Sequence, residues 1–219
     1  MVEIYDSHEQ SERVKGWLAE NGSAIVLGLA LAFGSLFGFK QWQLWEQNKD
    51  RQASAEYQQM LDYLAEDNLD AAVANYETLK TDFKGAAYTA LASLHMAKAR
   101  VEAGQAELAV SLLEYAMNNG TPKPVRNIAR VRLARVKVAL GETDQALELL
   151  DKAPSTDGFE ASFAEIRGDV ARKAGEYSRA SDFYSKALEM LEQGTGDRAY
   201  LEVKLQAMNL AAGAEGGAS

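Results

Sequence analysis

The sequence predicts an all-α protein in which one membrane-spanning helix near the amino terminus is followed by an array of paired helices. Three observations lead to this expectation. The 219 residues include only three prolines, and proline is the residue that helix interiors tolerate least. An uncharged, apolar run occupies residues 23–39. Four segments that align with one another without gaps then recur along the rest of the chain.

The apolar run over residues 23–39 has the length and composition of a transmembrane helix. Counted from residue 21, the uncharged stretch is 19 residues long, or about 28 Å as a helix, against a hydrocarbon core of about 30 Å. Tryptophan side chains favour the headgroup region of a bilayer. They occur on both sides of the run, as Trp17, Trp42 and Trp45.

A cleaved signal peptide and a buried helix of a soluble protein are the alternatives to a retained span. A signal peptide begins with a short basic region and ends in a small-residue cleavage site. Here residues 1–22 form an acidic tail with five acids and two bases, and Lys40 and Gln41 follow the run. We therefore expect a retained single span. Two basic residues near its amino-terminal side and three near its other side leave the orientation open.

The repeated segments share a pattern of a small or flexible residue, a turn, a small residue and a large residue. They begin at Met60, Ala97, Ala134 and Gly168, and the turns follow seven residues later at Asp67, Gly104, Gly141 and Gly175. The small residue of the second helix is Ala72, Ala109, Ala146 or Ala180, and the large one is Tyr76, Leu113, Leu150 or Tyr184. Small side chains let two antiparallel helices approach closely. Glycine ends the first helix in a left-handed conformation that other residues resist.

The spacing between turns, 37, 37 and 34 residues, resembles that of the tetratricopeptide repeat, a helix–turn–helix unit of about 34 residues. The family's aromatic residue at the start of the first helix is absent. The resemblance implies a tetratricopeptide-like solenoid over residues 40–212. A C-terminal capping helix is expected from an N-cap at Asp197 to about Ala212. The Gly- and Ala-rich residues 213–219 are expected to be disordered.

Composition argues against several classes of function. The net charge of −9 argues against a nucleic-acid-binding protein, which would carry a basic surface. The absence of cysteine excludes disulfides, thiolate metal sites and a cysteine nucleophile. The only histidines are His8 and His95, on opposite sides of the apolar run, and the sequence has no phosphate-binding loop or nucleophile motif. We expect no enzymatic activity and no cofactor.

As a whole, the chain resembles the ancillary SecYEG translocon subunits of Gram-negative bacteria. The resemblance rests on the short acidic amino terminus, the early span, the tyrosine-containing first repeat and the length of the repeat domain. It implies a protein of the inner membrane with residues 1–22 in the cytoplasm and the repeats in the periplasm. The implied partners are the SecYEG translocon, a membrane-anchored periplasmic chaperone of the prolyl-isomerase type, and translocating client proteins. The alternative is a cytoplasm-facing adaptor or regulator in the assembly of an envelope complex.

A candidate protein-binding groove follows from the repeat geometry, because the first helix of each tetratricopeptide repeat lines the concave surface. This places Lys98, Arg132, Arg135 and Arg172 in the groove, where they would bind an acidic segment or a chain terminus. The first helix of the third repeat carries six cations with no acid between them: Lys123, Arg126, Arg130, Arg132, Arg135 and Lys137. The alternative is a solvated face whose cations pair with acids of neighbouring repeats.

The apolar run also contains small residues at helical spacing. Gly34 and Gly38 form a GxxxG pair, and Gly28 lies on a second small-residue row with Ala24 and Ala32. Such rows let two helices pack closely in lipid. We expect Gly28, Gly34 and Gly38 to contact another transmembrane helix.

Overall fold

The computed structural model describes residues 7–154, 158–191 and 198–216, and within these ranges every regular element is an α-helix. The helices are α1 (Ser7–Ala65), α2 (Leu69–Asp82), α3 (Ala87–Glu102), α4 (Ala106–Asn119), α5 (Lys123–Leu140), α6 (Thr143–Asp151), α7 (Glu160–Lys173), α8 (Tyr177–Met190) and α9 (Arg198–Gly216). The chain divides into two compact units, residues 1–51 and 52–219. The predicted all-α class is confirmed.

The first unit contains the candidate membrane span. In the described part of the chain, α1 is the helix long and apolar enough to cross a membrane, with a mean hydropathy of 1.9 in its most apolar window and none of that window buried. Its large apolar side chains point outward; Phe37, for example, is 73% exposed. Exposed apolar surface of this extent is unfavourable in water and favourable in lipid. The helix continues through both edges of the apolar run, at residues 23 and 39, because no proline or turn residue interrupts α1 there. The limits of the span within α1 remain a prediction.

The described residues of the second unit form four helix pairs and a final helix. The pairs are the last turns of α1 with α2, α3 with α4, α5 with α6, and α7 with α8. All four predicted turn residues have a positive φ: Asp67 (56°), Gly104 (73°), Gly141 (85°) and Gly175 (78°). After the turn at Asp67, the Asn68 side chain caps α2 by accepting a hydrogen bond of 3.2 Å from the Ala71 N–H.

The predicted packing positions lie in the core. The small residues of the second helices, Ala72, Ala109, Ala146 and Ala180, are all 0% exposed. The large residues Tyr76, Leu113, Leu150 and Tyr184 are at most 4% exposed. At Gly168, an added Cβ would lie only 2.5 Å from Cε1 of Tyr184. The repeat pattern therefore predicted the close approach between paired helices correctly.

The final helix, α9, covers the fourth pair as a capping helix. Leu201 and Met208 of α9 pack in one cluster with Tyr184 and Ala187 of α8. The helix continues to Gly216, four residues beyond the predicted end at Ala212. Residues 213–216 of the expected disordered tail are therefore helical, and no proline stops α9 before them. The proposed N-cap Asp197 and residues 217–219 lie outside the described residues.

Candidate protein-binding surface

The first helices of successive repeats lie side by side, and their exposed side chains form one surface of the second unit. We call it the first-helix surface; it comprises the side chains of α1 after residue 52, α3, α5 and α7 that are not buried and lie on the same side as Arg132 and Arg135. Arg132 of α5 donates a long hydrogen bond of 3.5 Å to the Leu94 carbonyl of α3. Lys173, at the end of α7, donates one of 3.4 Å to the Ala139 carbonyl of α5. These bonds link the third repeat to both of its neighbours.

One half of this surface combines aromatic rings with cations. We name it the His95 surface, and it consists of Tyr57, Tyr88, His95, Lys98 and Arg132. The ring of Tyr57, on α1, lies 5.5 Å from that of Tyr88 and 5.9 Å from the His95 imidazole, centroid to centroid. His95 occupies a place where α1, α3 and α5 converge, beside the aromatic pair.

The electrostatics of the His95 surface are positive. Burial lowers the pKa of His95, and the positive charges of Arg132 and Lys98 lower it further. The imidazole is therefore neutral at pH 7, and both cations lie close to it. The Lys98 ammonium pairs with Glu102 at 3.5 Å, although both side chains are about two-thirds exposed. A pair this exposed contributes little stability and leaves Lys98 available to another anion.

A cavity adjoins the His95 surface between α1 and α3. Its volume is about 470 Å³, and it is lined by Leu61, Leu64 and Leu69 together with His95 and Lys98. The carboxylate-bearing residues Asp67 and Glu102 line it as well. The cavity thus offers an apolar wall close to two groups able to donate hydrogen bonds to an anion.

The other half of the first-helix surface is an ion-pair network that joins α5, α7 and α9. We name it the Lys204 network, formed by Arg135, Glu165, Asp169 and Lys204. Arg135 Nη2 lies 2.8 Å from Glu165 Oε2. Lys204 Nζ lies 2.7 Å from Glu165 Oε1 and 2.8 Å from Asp169 Oδ1. Two cations and two carboxylates cancel, so the Lys204 network itself carries no net charge.

The pKa shifts in the Lys204 network show which interactions dominate. Burial alone would raise the pKa of Glu165, but hydrogen bonds and charges from Lys204 and Arg135 outweigh it and lower that pKa. Burial alone would lower the pKa of Lys204, but its bonds to Asp169 and Glu165 raise it. Both groups are therefore held in their charged forms.

The structure separates the four predicted groove residues. Lys98 and Arg132 belong to the His95 surface, whereas the charge of Arg135 is matched by Glu165 in the Lys204 network. Arg172 is exposed near the end of α7. Burial raises the pKa of Tyr184, and the hydrogen bond to Asp169 and its negative charge raise that pKa further. The positive charge of Arg172 lowers it in part. Arg172 therefore lies near the Tyr184 hydroxyl, which donates a hydrogen bond to Asp169 of the Lys204 network.

The six cations of α5 do not form one patch, because the helical period distributes them around the helix. Arg126 Nε donates a hydrogen bond of 2.7 Å to the Gly120 carbonyl, and Lys137 pairs with Glu142 at 2.6 Å. Arg130 turns inward, and its Nε is buried with no hydrogen-bond partner among the described residues. Of the six cations, Arg132 and Arg135 lie on the first-helix surface.

Three residues of the His95 surface escaped the sequence prediction: Tyr57, Tyr88 and His95. The repeat register contained a signal for His95, which stands nine residues before Gly104 as Arg132 stands nine before Gly141. Lys98 and Arg135 are likewise equivalent, six residues before the same turns. For Tyr57 and Tyr88 the sequence held no such signal, because their contact depends on how α1 packs against α3.

The predicted packing residues of the span lie on open helix surface in the single chain. A Cβ added at Gly28, Gly34 or Gly38 would meet no atom within 4 Å outside the helix's own nearby backbone. The backbone at these three positions is therefore accessible to a second helix.

Comparison with known proteins agrees with this architecture. Residues 15–210 match the tetratricopeptide repeat-like domain family. The ancillary SecYEG translocon subunit of Escherichia coli (strain K12) is 32% identical over 201 residues, which cover 87% of this chain and 96% of that protein. The protein of the same name from Aggregatibacter actinomycetemcomitans is 29% identical, over 94% of this chain and 98% of its own length. The one from Haemophilus influenzae is also 29% identical, over 85% of this chain and 91% of its own length. The span, the four helix pairs and these similarities together identify the chain as a member of the ancillary SecYEG translocon subunit family, with a tetratricopeptide repeat-like domain.

Proposed function

We propose that this protein is a non-catalytic, membrane-anchored scaffold that associates with the SecYEG translocon and holds other proteins on its helical repeats. The observation that carries the proposal is the similarity to ancillary translocon subunits along almost the whole chain, span and repeats included. The repeats would face the periplasm, where they would connect the channel to a membrane-anchored chaperone of the prolyl-isomerase type and to emerging client chains. Residues 1–22 would lie in the cytoplasm.

The first-helix surface is the part of the scaffold that we assign to protein binding. Arg132 is exposed there, and the ion pair that Lys98 forms among the described residues, with Glu102, is itself exposed to solvent. A guanidinium offers paired donors to a carboxylate, and exchanging a weak surface pair for a ligand costs little. Arg135 would contribute through the Lys204 network rather than by direct contact, and Arg172 would extend the surface along α7.

Thiol labelling tests the orientation, because the chain has no cysteine of its own. We expect a cysteine introduced as Ser178→Cys, at an exposed position of α8, to react with a membrane-impermeant maleimide in intact spheroplasts. The matched variant Glu12→Cys, exposed before the apolar run, should react only after the membrane is permeabilised. The reverse pattern would identify the cytoplasm-facing adaptor instead.

The span would contribute a second contact with the membrane machinery through its small-residue face. We expect the double substitution Gly34→Leu/Gly38→Leu to reduce the amount of translocon that co-purifies with the full chain in mild detergent. Leucine side chains at these open positions would hold a partner helix away from the backbone. The control is Leu29→Phe/Leu36→Phe, which enlarges residues on the opposite side of α1 and should preserve co-purification. Equal recovery from the leucine variant would show that this face has no partner.

A further inference from the structure

We propose that a groove formed by the second helices of the third and fourth repeats binds an amphipathic helix of a partner protein. The bound helix carries acids along one flank of its apolar face and bases along the other. The groove lies between α6 and α8, with α7 as its floor and a volume of about 970 Å³, and we name it the α7 groove. This inference rests on the proposed scaffold function and adds a second binding surface and the chemistry of its ligand.

The α7 groove and the first-helix surface lie on opposite faces of α7. Arg167 and Val170 line the groove, whereas Glu165 and Asp169 belong to the Lys204 network. With 3.6 residues per turn, these two rows are nearly half a turn apart around the helix. The α7 groove is therefore separate from the cations of the first-helix surface.

A short α6 leaves the groove open. It has nine residues, whereas α2, α4 and α8 have fourteen each. Pro154 follows soon after its last residue, Asp151, and proline does not continue a helix. The side of α7 that a longer α6 would cover therefore remains accessible. At this end of the groove, α8 presents Met190, whose side chain is 53% exposed.

Apolar side chains from all three helices line the α7 groove. Val170 lies on the floor, Leu147 on the α6 wall and Phe183 on the α8 wall, and all three are half-buried. The ring of Phe183 lies 5.7 Å from the Arg179 guanidinium and 5.6 Å from the Lys186 ammonium, measured from its centroid. The groove thus presents apolar surface that a ligand can cover favourably, bordered by charged groups.

The two walls of the groove carry opposite charges. Asp144 and Asp151 line it from α6, and Arg179 and Lys186 line it from α8. The members of each pair are seven residues apart, or about two helical turns, so each pair forms a row along its helix. One wall therefore has two negative charges and the other has two positive charges.

These charges are available to a ligand. In the described part of the chain, Asp144 and Lys186 have no ion-pair partner. Arg179 pairs with Glu176 at 2.7 Å, but that guanidinium side chain is 65% exposed. Asp151 pairs with Arg167 at 2.8 Å, and its own side chain is 67% exposed. Surface pairs of this kind contribute little stability, and a carboxylate can accept more than one hydrogen bond.

The shape and charge of the groove select a helix as its occupant. The floor helix α7 has 14 residues and is about 21 Å long. A helix laid along it would present one apolar row to the floor and one polar row to each wall. An extended peptide alternates its side chains between two opposite faces and cannot present three such rows. Charge complementarity then places acids of the ligand opposite α8 and bases opposite α6.

The test measures fluorescence anisotropy of labelled, stapled helical peptides titrated with the full chain in detergent micelles. The patterned peptide has about 14 residues, with leucine on one face, glutamate along one flank and lysine along the other. The scrambled peptide has the same composition, with glutamate and lysine alternating along both flanks. The lysine peptide carries lysine on both flanks and reports non-specific attraction to a chain of net charge −9.

We expect the patterned peptide to bind about tenfold more tightly than the scrambled peptide, because each matched charge adds a modest amount to the affinity. It should also bind more tightly than the lysine peptide. Equal binding of the patterned and scrambled peptides would overturn the inference. Tightest binding of the lysine peptide would overturn it as well, because only the net charge of the chain would then be recognised.

Variants locate the site. Arg179→Glu/Lys186→Glu makes both walls acidic, so the patterned peptide should lose about tenfold in affinity and the lysine peptide should become the tightest ligand. The control Lys80→Glu/Lys84→Glu changes the net charge equally from exposed positions outside the groove and should preserve the preference. Met190→Gln should weaken binding of the patterned peptide about fivefold. Unchanged affinities in the Arg179→Glu/Lys186→Glu chain would contradict the proposed site, provided that its circular dichroism shows it folded.

A second copy of this chain is the other occupant to test. Light scattering of the full chain in micelles should give the same protein mass before and after the double substitution Arg179→Glu/Lys186→Glu. A dimer that this substitution dissociates would assign the α7 groove to self-association and overturn the inference.

The inference and the scaffold function fail separately. A preference for the patterned peptide in a chain that does not co-purify with the translocon would defeat only the scaffold function. Co-purification of a chain that binds the patterned and scrambled peptides equally would defeat only the inference.

Discussion

Replacing Gly168 by alanine should destabilise the repeat domain by about 1–3 kcal/mol, the usual cost of overpacking a core. Alanine in place of a helical glycine ordinarily stabilises a protein by about 0.5–1 kcal/mol, so the expected sign is reversed here. The added Cβ would lie 2.5 Å and 2.6 Å from two ring carbons of Tyr184. That ring is 0% exposed, and its hydroxyl donates a 2.8 Å hydrogen bond to Asp169, so it has no free space into which to move.

The measurement is urea unfolding of the full chain in micelles, followed by circular dichroism. Gly213→Ala is the matched control, because Gly213 also lies in a helix but has nothing within 4 Å of an added Cβ. It should be neutral or slightly stabilising. In a Tyr184→Leu background the additional cost of Gly168→Ala should shrink, which a double-mutant cycle would detect. A Gly168→Ala protein as stable as the unaltered chain would refute the close approach of α7 and α8.

Replacing Lys204 by methionine should destabilise the domain by about 2–3 kcal/mol, at the lower end for breaking a buried ion pair. The side chains of Lys204, Glu165 and Asp169 are only 14–17% exposed. Without Lys204, Glu165 retains its ion pair with Arg135, whereas the direct partner that Asp169 retains among the described residues is the neutral Tyr184 hydroxyl. The orphaned carboxylate would loosen the docking of α9 on the fourth repeat. Thermal and urea unfolding of the variant would measure this loss.

Two further variants show whether charge is the cause. Lys186→Met removes an exposed cation of α8 and should change stability by less than about 0.5 kcal/mol. Adding Asp169→Asn to Lys204→Met should restore part of the lost stability, because it removes the unpaired negative charge. If the double variant is less stable than Lys204→Met alone, the account of the network is wrong.

The Lys204 network should also respond to pH in a defined direction. The pKa of Glu165 is lowered by its cationic partners. The stability that Glu165 contributes is therefore fully present above its unfolded pKa of about 4.3, and it is lost as the pH falls through its folded pKa. The pKa of Lys204 is raised by its carboxylate partners. The stability that Lys204 contributes is therefore fully present below its unfolded pKa of about 10.4, and it is lost as the pH rises through its folded pKa. The stability difference between the unaltered chain and Lys204→Met should be constant near neutral pH and shrink in acid.

The sequence was sufficient for the fold because its signals are local. A positive φ at each of the four turns and an alanine at each close contact are requirements of one helix pair at a time. The end of the last helix was harder to predict, because no proline interrupts α9 before Gly216. Helix ends are weakly specified where no breaker or cap is present.

The candidate surface was only partly predictable, because it depends on which side chains meet across different repeats. The register of the first helices places Lys98 and Arg132 on that surface, and their part in binding stays a prediction. The neutralisation of Arg135 depends on Glu165, thirty residues away, and on Lys204 of the capping helix. Local charge along α5 therefore overestimated the positive surface. The ring partner of His95 is Tyr57 of α1, which also contacts Tyr88 of α3, and no local sequence pattern relates these residues.

Photo-crosslinking in living cells tests the central claim most directly. A photoreactive amino acid would replace Leu31, in the apolar run, or Lys98, on the His95 surface, of the otherwise unaltered full chain. The scaffold account predicts adducts between position 31 and a SecYEG subunit, and adducts between position 98 and periplasmic proteins. Adducts with cytoplasmic proteins from position 98, together with no translocon adduct from position 31, would contradict it.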